Sequence, residues 1–215
     1  MSKRGLFIVF EGIDGCGKGT QIIELISYIK SLDKYQDVLL THEPWKSRKI
    51  KERLEKEKNA FSSGLDIAHL FVSDRSLHSR KLIIPNVKRK IFVISDRYAL
   101  STIAYQSAQG VPMDVLFKMH RNKGILIPDI TFFIDVSSEI AEARLKKRGG
   151  QIEKFEKSNF RAVLIEQYRK LIKQGQQNER LFGKVLSIDG TRSITEVSKD
   201  VREVFDKFYN AWRKK

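Results

Sequence analysis

One short segment of the sequence carries residues suited to holding a phosphate group. Residues 12–20 read Gly-Ile-Asp-Gly-Cys-Gly-Lys-Gly-Thr and lie between an apolar run and a helical pattern. Glycines let backbone N–H groups turn inward around a phosphate, and the start of a helix adds a favourable dipole. Lys18 would reach the transferred phosphoryl group. The segment predicts a P-loop, although Gly19 stands where a hydroxyl residue is usual and Thr20 follows it. A glycine-rich turn that only joins strand to helix is the alternative.

A second group of residues could line a nucleotide pocket. Phe71 and Arg75 are four residues apart on a predicted helix, so a flat apolar ring and a two-pronged phosphate ligand project together. Ser101 and Tyr105 have the same spacing if a helix begins after Arg97, and they could form a second wall of the same pocket. The two faces together could hold a base and its phosphate.

Each of these residues also has a purely structural interpretation. The rings of Phe71 and Tyr105 could pack in the core. The two arginines could form ion pairs with their acidic neighbours, Asp74 and Asp96.

Five apolar segments alternate with helical patterns and should position these residues. They are residues 6–11, 37–42, 91–96, 130–136 and 184–188. Nearly continuous apolar runs are typical of parallel strands buried on both faces. Strand alternating with helix predicts a doubly wound α/β fold with ligands at the carboxyl ends of the strands. No linker or repeat interrupts residues 1–215, so we expect one domain, and Ser193 with Glu196 predicts a capping box for the last helix.

Composition and charge limit the classes of protein. The 215 residues are 41% hydrophobic and 31% charged, which excludes disorder. The longest apolar run is too short for a membrane span or signal peptide, so we expect a cytoplasmic protein. A single cysteine and four scattered histidines give no zinc spacing. The net charge of +15 favours anionic partners or a merely solvated surface, and no nucleic-acid-binding module is visible, so nucleotides are favoured over nucleic acid.

A basic segment follows the fourth predicted strand. Residues 144–150 read Arg-Leu-Lys-Lys-Arg-Gly-Gly, and Lys154 comes shortly after. A glycine pair can act as the hinge of a closing segment, so we expect a small mobile lid at approximately residues 144–160. The alternative is a basic helix end that interacts favourably with its own dipole.

Five motifs occur along the chain in order. They are Phe10-Glu11-Gly12-Ile13-Asp14-Gly15 entering the P-loop, His42-Glu43-Pro44, Leu70-Phe71 with Asp74-Arg75, Asp96-Arg97-Tyr98 with Ser101 and Ala104-Tyr105-Gln106, and Ile188-Asp189-Gly190. This set resembles the thymidylate kinase family over nearly the whole chain. The resemblance implies a P-loop NTPase-type five-stranded sheet flanked by helices. It also implies transfer of the ATP γ-phosphoryl group to dTMP, giving dTDP and ADP, with Mg2+ as cofactor and a homodimer as the assembly.

The resemblance also implies roles for individual residues. Asp14 matches the carboxylate that engages the acceptor sugar, Phe71 the ring that stacks on thymine, and Tyr105 the residue that crowds the 2′ position. The expected acceptor-binding residues are Asp14, Glu43, Phe71, Arg75, Arg97, Ser101, Tyr105 and Gln106. The expected ATP-binding residues are Gly12, Ile13, Asp14, Gly15, Cys16, Gly17, Lys18, Gly19, Thr20 and Asp189. Thr20 and Asp96 are the expected contacts of Mg2+, directly or through water.

The chemistry requires cations rather than a base. The ionised phosphate oxygen of a nucleoside monophosphate is already a nucleophile, and the obstacle is repulsion between two anions held in line. Lys18 and Arg97 supply two charges, and Arg75 is expected to join Arg97 on the acceptor phosphate. Family members carry a further catalytic arginine in the P-loop or the lid. Because residues 12–20 contain no arginine, Arg148 is the first choice for this role and Arg144 the second.

Two departures from the family pattern leave the acceptor less defined than the reaction. Trp45 and Lys46 replace the usual glycines and arginine after the second motif and could alter the pocket, and Lys154 stands where an arginine is frequent. Another nucleoside monophosphate or deoxynucleoside kinase is therefore the alternative enzyme. Outside enzymes, the alternative is a basic P-loop protein that binds nucleic acid.

Overall fold

The structure of the protein is a computed structural model that describes residues 4–56, 59–62, 64–121, 123–149, 158–174 and 179–214. The strands are β1 (Phe7–Glu11), β2 (Val38–His42), β3 (Phe92–Asp96), β4 (Ile130–Asp135) and β5 (Lys184–Asp189). The helices are α1 (Lys18–Leu32), α2 (Arg48–Lys56), α3 (Gly64–His78), α4 (Ile84–Lys88), α5 (Ala99–Ala108), α6 (Met113–His120), α7 (Ser138–Arg148), α8 (Ser158–Lys173), α9 (Glu179–Phe182) and α10 (Ile194–Arg213). A π-helical segment, Ser79–Ile83, joins α3 to α4.

The five strands form one parallel sheet in the order β2-β3-β1-β4-β5. This confirms the predicted doubly wound α/β fold, and each predicted strand agrees with the observed one to within one residue at either end. The expectation that all five strands are buried on both faces is wrong for β2 and β5. These two are edge strands and are only partly covered, so that Leu40 at the centre of β2 is 50% exposed.

Helices pack together around the sheet in two groups. Helix α1 packs against α10, while α5 packs against both α3 and α8. The predicted capping box is confirmed, since Ser193 and Glu196 exchange side-chain and backbone hydrogen bonds at the start of α10. One continuous cluster of buried apolar residues joins the sheet to both groups. Among the described helices, none combines the length and the apolar character that crossing a bilayer requires.

The carboxyl ends of the strands meet at one edge of the sheet because all five strands run in the same direction. An acidic residue ends or follows each of them: Glu11 ends β1, Glu43 follows β2, Asp96 ends β3, Asp135 ends β4 and Asp189 ends β5. The P-loop leaves β1 at this edge, and α5 begins just after β3. The sheet thus brings together residues that are far apart in sequence, as expected for a ligand site in this class of fold.

Candidate active site

The loop between β1 and α1 has a backbone that requires its first glycines. Gly12 and Gly15 have positive φ angles of 139° and 83°. A Cβ at Gly12 would lie 2.7 Å from the carbonyl oxygen of Ile134, and one at Gly15 would lie 2.5 Å from that of Ala141. Larger residues would therefore force the loop away from β4 and α7. Gly19 is under no such constraint, because nothing lies within 4 Å of its Cβ position.

Lys18 opens α1 and folds back over the loop. Its Nζ donates to the carbonyl oxygens of Gly12 and Ile13 at 3.0 and 3.1 Å, and its side chain is buried. The Sγ atom of Cys16 lies 3.8 Å from the same nitrogen. An anionic phosphate oxygen is a stronger acceptor than a carbonyl, so the ammonium is held where an incoming phosphate could take over its hydrogen bonds.

A cavity of about 240 Å3 opens beside the P-loop. Its lining consists of Asp14, Glu43, Pro44, Leu54, Phe71, Arg75, Arg97, Tyr98, Ser101, Thr102, Tyr105 and Gln106. All eight residues that the sequence analysis expects to bind the acceptor are among them. Leu54 and Thr102 carried no sequence signal, since an apolar residue of α2 and a threonine beside Ser101 fit many roles. Trp45 and Lys46 are not part of this lining. The ring of Trp45 instead stacks on the ring of His78, with the two ring centroids 5.1 Å apart.

Arg97 lies between the cavity and the P-loop. Its Nη2 donates to Oδ1 of Asp14 at 2.5 Å and its Nη1 to the carbonyl oxygen of Gly12 at 3.0 Å. The φ angle of Arg97 is 68°, a conformation that costs energy for a residue with a Cβ. Backbone bonding holds it there, because its N–H donates to Phe10 and its carbonyl accepts from the Ser95 hydroxyl. The ion-pair partner of Arg97 is thus Asp14, not the neighbouring Asp96.

The charges around Asp14 keep this carboxylate ionised. Burial opposes its ionisation, but the positive charges of Arg97, Lys18 and Arg148 lower the pKa of Asp14 to about 2. The hydroxyl of Tyr105 also donates to Asp14, at 3.4 Å. Asp14 therefore presents a carboxylate to the cavity throughout the physiological pH range.

The contacts of Arg75 differ from those that the sequence predicted. The spacing from Phe71 predicted a two-pronged ligand for a phosphate, but four of its N–H groups already meet protein acceptors. Nε donates to Glu43 at 2.8 Å, Nη2 to the carbonyl oxygen of Tyr98 and the hydroxyl of Thr102, and Nη1 points to His120. A guanidinium has five N–H groups, so the described contacts leave one, on Nη1. A single donor suits a carbonyl oxygen rather than the bidentate grip expected for a phosphate.

Glu11 forms a buried network that sequence reasoning did not assign to the site. Its carboxylate accepts hydrogen bonds from the backbone N–H groups of Tyr98 and Ser101 and from the hydroxyls of Ser101 and Tyr168. Burial raises the pKa of Glu11, although these hydrogen bonds and Arg97 act in the opposite direction. Tyr168 belongs to α8, so this network ties α8 to the end of β1. The sequence feature that could have indicated this network is Glu11 itself, an acidic residue at the end of an apolar strand.

The two arginines of α7 lie in different surroundings. Arg144 donates to the carbonyl oxygen of Cys16 at 3.1 Å and to that of Gly190 at 2.8 Å, so it links the P-loop to the loop after β5. Arg148 lies one turn later, is exposed, and is near enough to lower the pKa of Asp14. Lys154 and residues 150–157 of the expected lid lie outside the described residues.

The residues expected near Mg2+ form a sparse set. Oδ1 of Asp96 is buried without a hydrogen-bond partner among the described residues, which fits a carboxylate that binds a water or an ion. Thr20 is exposed in the first turn of α1. Within the described ranges, no three His, Cys, Asp or Glu side chains are grouped closely enough to bind a metal by themselves. The set therefore fits an ion held largely by phosphate oxygens and water, with Asp96 nearby.

The parallel sheet, the P-loop at the start of α1 and the adjoining cavity lined by two arginines and two carboxylates define a protein of the P-loop NTPase class. A model of the family described as thymidylate kinase matches residues 10–201. The chain belongs to the thymidylate kinase family.

Individual relatives match at similar levels. The chain is 35% identical over 201 residues to a thymidylate kinase of Sulfurihydrogenibium sp., covering 91% of this chain and 94% of the relative. It is 32% identical over 202 residues to a probable thymidylate kinase of Staphylothermus marinus, covering 94% and 95%. A thymidylate kinase of Ureaplasma parvum is 32% identical over 216 residues, covering 96% and 92%.

Proposed function

We propose that this protein is a thymidylate kinase that transfers the γ-phosphoryl group of ATP to dTMP, giving ADP and dTDP. One observation carries the proposal. A single cavity gathers all eight expected acceptor-binding residues and adjoins the P-loop through the Asp14–Arg97 ion pair. An acceptor bound there would have its phosphate at the P-loop end, where the γ-phosphoryl group of ATP would also lie.

The reaction needs no base from the protein. An ionised oxygen of the dTMP phosphate attacks the γ-phosphorus, and ADP leaves with the electrons of the broken bond. The chain supplies positive charge around this transfer: Lys18 from the P-loop, Arg97 from the cavity side and Arg148 from the end of α7. Arg97 donates hydrogen bonds to Asp14 and to the carbonyl oxygen of Gly12. The phosphate of dTMP would join these two groups around the guanidinium or displace one of them. Electrostatic stabilisation by such fixed charges is a large term in phosphoryl transfer.

The acceptor base would lie at the opposite end of the cavity. Phe71 offers a ring for stacking, and Arg75 offers its remaining N–H to a carbonyl oxygen of the base. This assignment replaces the expectation that Arg75 binds the acceptor phosphate, because Glu43 and three other acceptors already engage its guanidinium. Tyr105, which is hydrogen-bonded to Asp14, would crowd the 2′ position and favour deoxyribose.

ATP would bind across the P-loop and the loop after β5. Arg144 supports this side, because it connects the carbonyl oxygens of Cys16 and Gly190. We therefore assign Arg144 to the ATP site and Arg148 to the transferred phosphoryl group. Asp189 ends β5 beside this loop, where its carboxylate accepts from the backbone N–H and hydroxyl of Thr191. Mg2+ would neutralise the phosphates of ATP, and Asp96, whose Oδ1 has no hydrogen-bond partner among the described residues, would help to hold it with Thr20, directly or through water.

The protein is proposed to be a single domain with a small lid that assembles as a cytoplasmic homodimer. A single domain is supported by the continuous core that joins the sheet to α8 and α10. A lid over approximately residues 144–160 is supported by the basic end of α7 near the cavity. A cytoplasmic homodimer is supported by the family resemblance, and Leu65 and Leu77 on α3 are exposed apolar side chains that an interface could cover.

A coupled ADP-release assay tests the function. The acceptors are dTMP, dUMP, dCMP, dAMP and dGMP, their ribose counterparts, and thymidine without a phosphate, each with ATP and Mg2+. We expect dTMP to give the highest kcat/KM and Lys18→Ala to abolish turnover with dTMP while the fold is retained. A preference for thymidine or for a purine acceptor would indicate one of the alternative kinases. No turnover with any acceptor, together with salt-sensitive binding of DNA or RNA, would favour the non-enzymatic alternative.

A further inference from the structure

We propose that His120 is a positioning residue, which fixes the guanidinium of Arg75 from outside the cavity. This inference rests on the proposed assignment of the cavity to the acceptor. His120 is the last residue of α6, is only 3% exposed, and lies behind Arg75 rather than in the cavity lining. Its Nε2 is 2.8 Å from Nη1 of Arg75, and its Nδ1 is 2.7 Å from the carbonyl oxygen of Leu116.

These two contacts determine the protonation state of His120. A carbonyl oxygen can only accept, so Nδ1 must carry the hydrogen that bonds Leu116. A guanidinium can only donate, so Nε2 must present its lone pair to Arg75. The ring is therefore neutral. Burial and the adjacent positive charge of Arg75 lower the pKa of His120 to about 3, while the hydrogen bond to Leu116 acts in the opposite direction.

His120 completes a set of acceptors around Arg75. Glu43, from the loop after β2, holds one side of the guanidinium, and Thr102 with the carbonyl oxygen of Tyr98, both at the start of α5, holds another. His120 binds Nη1, the nitrogen that carries the one remaining N–H. Because the guanidinium is planar, the contact of His120 with Nη1 helps to hold the whole group, and with it that last donor, in one orientation.

The orientation has a consequence for the choice of base. A donor fixed at this end of the cavity suits a pyrimidine with a carbonyl at position 4 and opposes one with an amino group there, because two donors would then meet. Sites built to pair a substrate hydrogen bond discriminate strongly against analogues that leave it unpaired. Without His120, Nη1 would lose its buried acceptor, and Arg75 would be free to shift toward the cavity.

The test compares two variants with a matched control. His120→Leu removes the acceptor, whereas His120→Gln keeps an oxygen that can accept from Arg75. We expect His120→Leu to raise the KM for dTMP about tenfold and to reduce the preference for dTMP over dCMP, with kcat and the KM for ATP within about twofold. We expect His120→Gln to restore most of both losses. Val201→Ala, which removes buried apolar atoms of α10, controls for general destabilisation and should leave both properties unchanged.

A spectroscopic readout separates this inference from the proposed function. The chain has four histidines, so the spectrum of protein labelled with 15N-histidine is simple, and the signal missing in His120→Gln identifies His120. We expect a neutral ring with hydrogen on Nδ1 from pH 8 to pH 5. An ordinary titration of His120 near neutral pH, or an unchanged KM and base preference in His120→Leu, would overturn the positioning role. Unchanged KM values for dTMP in Phe71→Ala and Arg75→Ala would instead show that the cavity is not the acceptor site.

Discussion

The buried ion pair between Glu43 and Arg75 gives the sharpest test of how the cavity is held together. Both side chains are almost fully buried, and Oε2 of Glu43 lies 2.8 Å from Nε and 2.6 Å from Nη2 of Arg75. Oε1 of Glu43 faces Nδ1 of the buried His78 at 3.1 Å. Glu43→Gln keeps the shape but removes the charge that compensates the guanidinium. Leaving one partner of a buried pair uncompensated typically costs about 3–5 kcal/mol.

The amide introduced by Glu43→Gln can still accept one hydrogen bond, so we expect the lower end of that range, about 3 kcal/mol. For a chain of this length that corresponds to a fall in melting temperature of roughly 6–12 °C. Urea unfolding of Glu43→Gln measures the loss of stability, and thermal melts measure the fall in melting temperature. Asp114→Asn is the matched control, because it breaks the exposed pair with Lys118 and should leave stability unchanged within error.

A double variant adds a further check on the reasoning. Replacing both partners, as in Glu43→Gln with Arg75→Met, removes the charge along with its partner and should cost less than the two single losses added together. A loss below about 1 kcal/mol for Glu43→Gln alone, or strict additivity in the double variant, would refute the view that an uncompensated buried charge is the source of the effect.

Further predictions address catalysis and pH. Lys18→Ala should abolish transfer mainly through kcat with an unchanged melt, and near-normal turnover would remove the P-loop from the mechanism. Arg148→Ala should lose about 3 kcal/mol of transition-state stabilisation, seen in kcat and only partly recovered by Arg148→Lys, whereas Arg144→Ala should raise chiefly the KM for ATP. Equal effects of the two arginine variants on kcat would contradict this division. Tyr105→Ala should relax the preference for dTMP over its ribose counterpart, measured as the ratio of kcat/KM values. Because the pKa of Asp14 is lowered to about 2 in the folded protein, its ion pairs should add stability above about pH 4 that is lost as the pH falls toward 2. Asp14→Asn should flatten that part of a stability–pH curve.

Local patterns in the sequence were sufficient to predict the strands of the sheet and the loop after β1. Apolar runs located all five strands, and the glycines after β1 predicted the loop that the structure shows, because both signals depend on residues close together in the chain. The sequence did not reveal the order of the strands or that β2 and β5 lie at the edges. Leu40 illustrates the difference: this apolar residue in an apolar run is half exposed because β2 lies at the edge of the sheet, where its faces are only partly covered.

The composition of the candidate site was also visible in the sequence, whereas its connections were not. Motif spacing identified Phe71, Arg75 and Arg97 as cavity residues, but it could not show which acceptors their donors meet. Arg75 was expected to hold a phosphate, yet His120, 45 positions away, is one of its partners. Arg97 pairs with Asp14 across 83 positions rather than with its neighbour. Periodicity determines which side chains share one face of an element, but only the packing of separate elements decides which buried donor faces which acceptor.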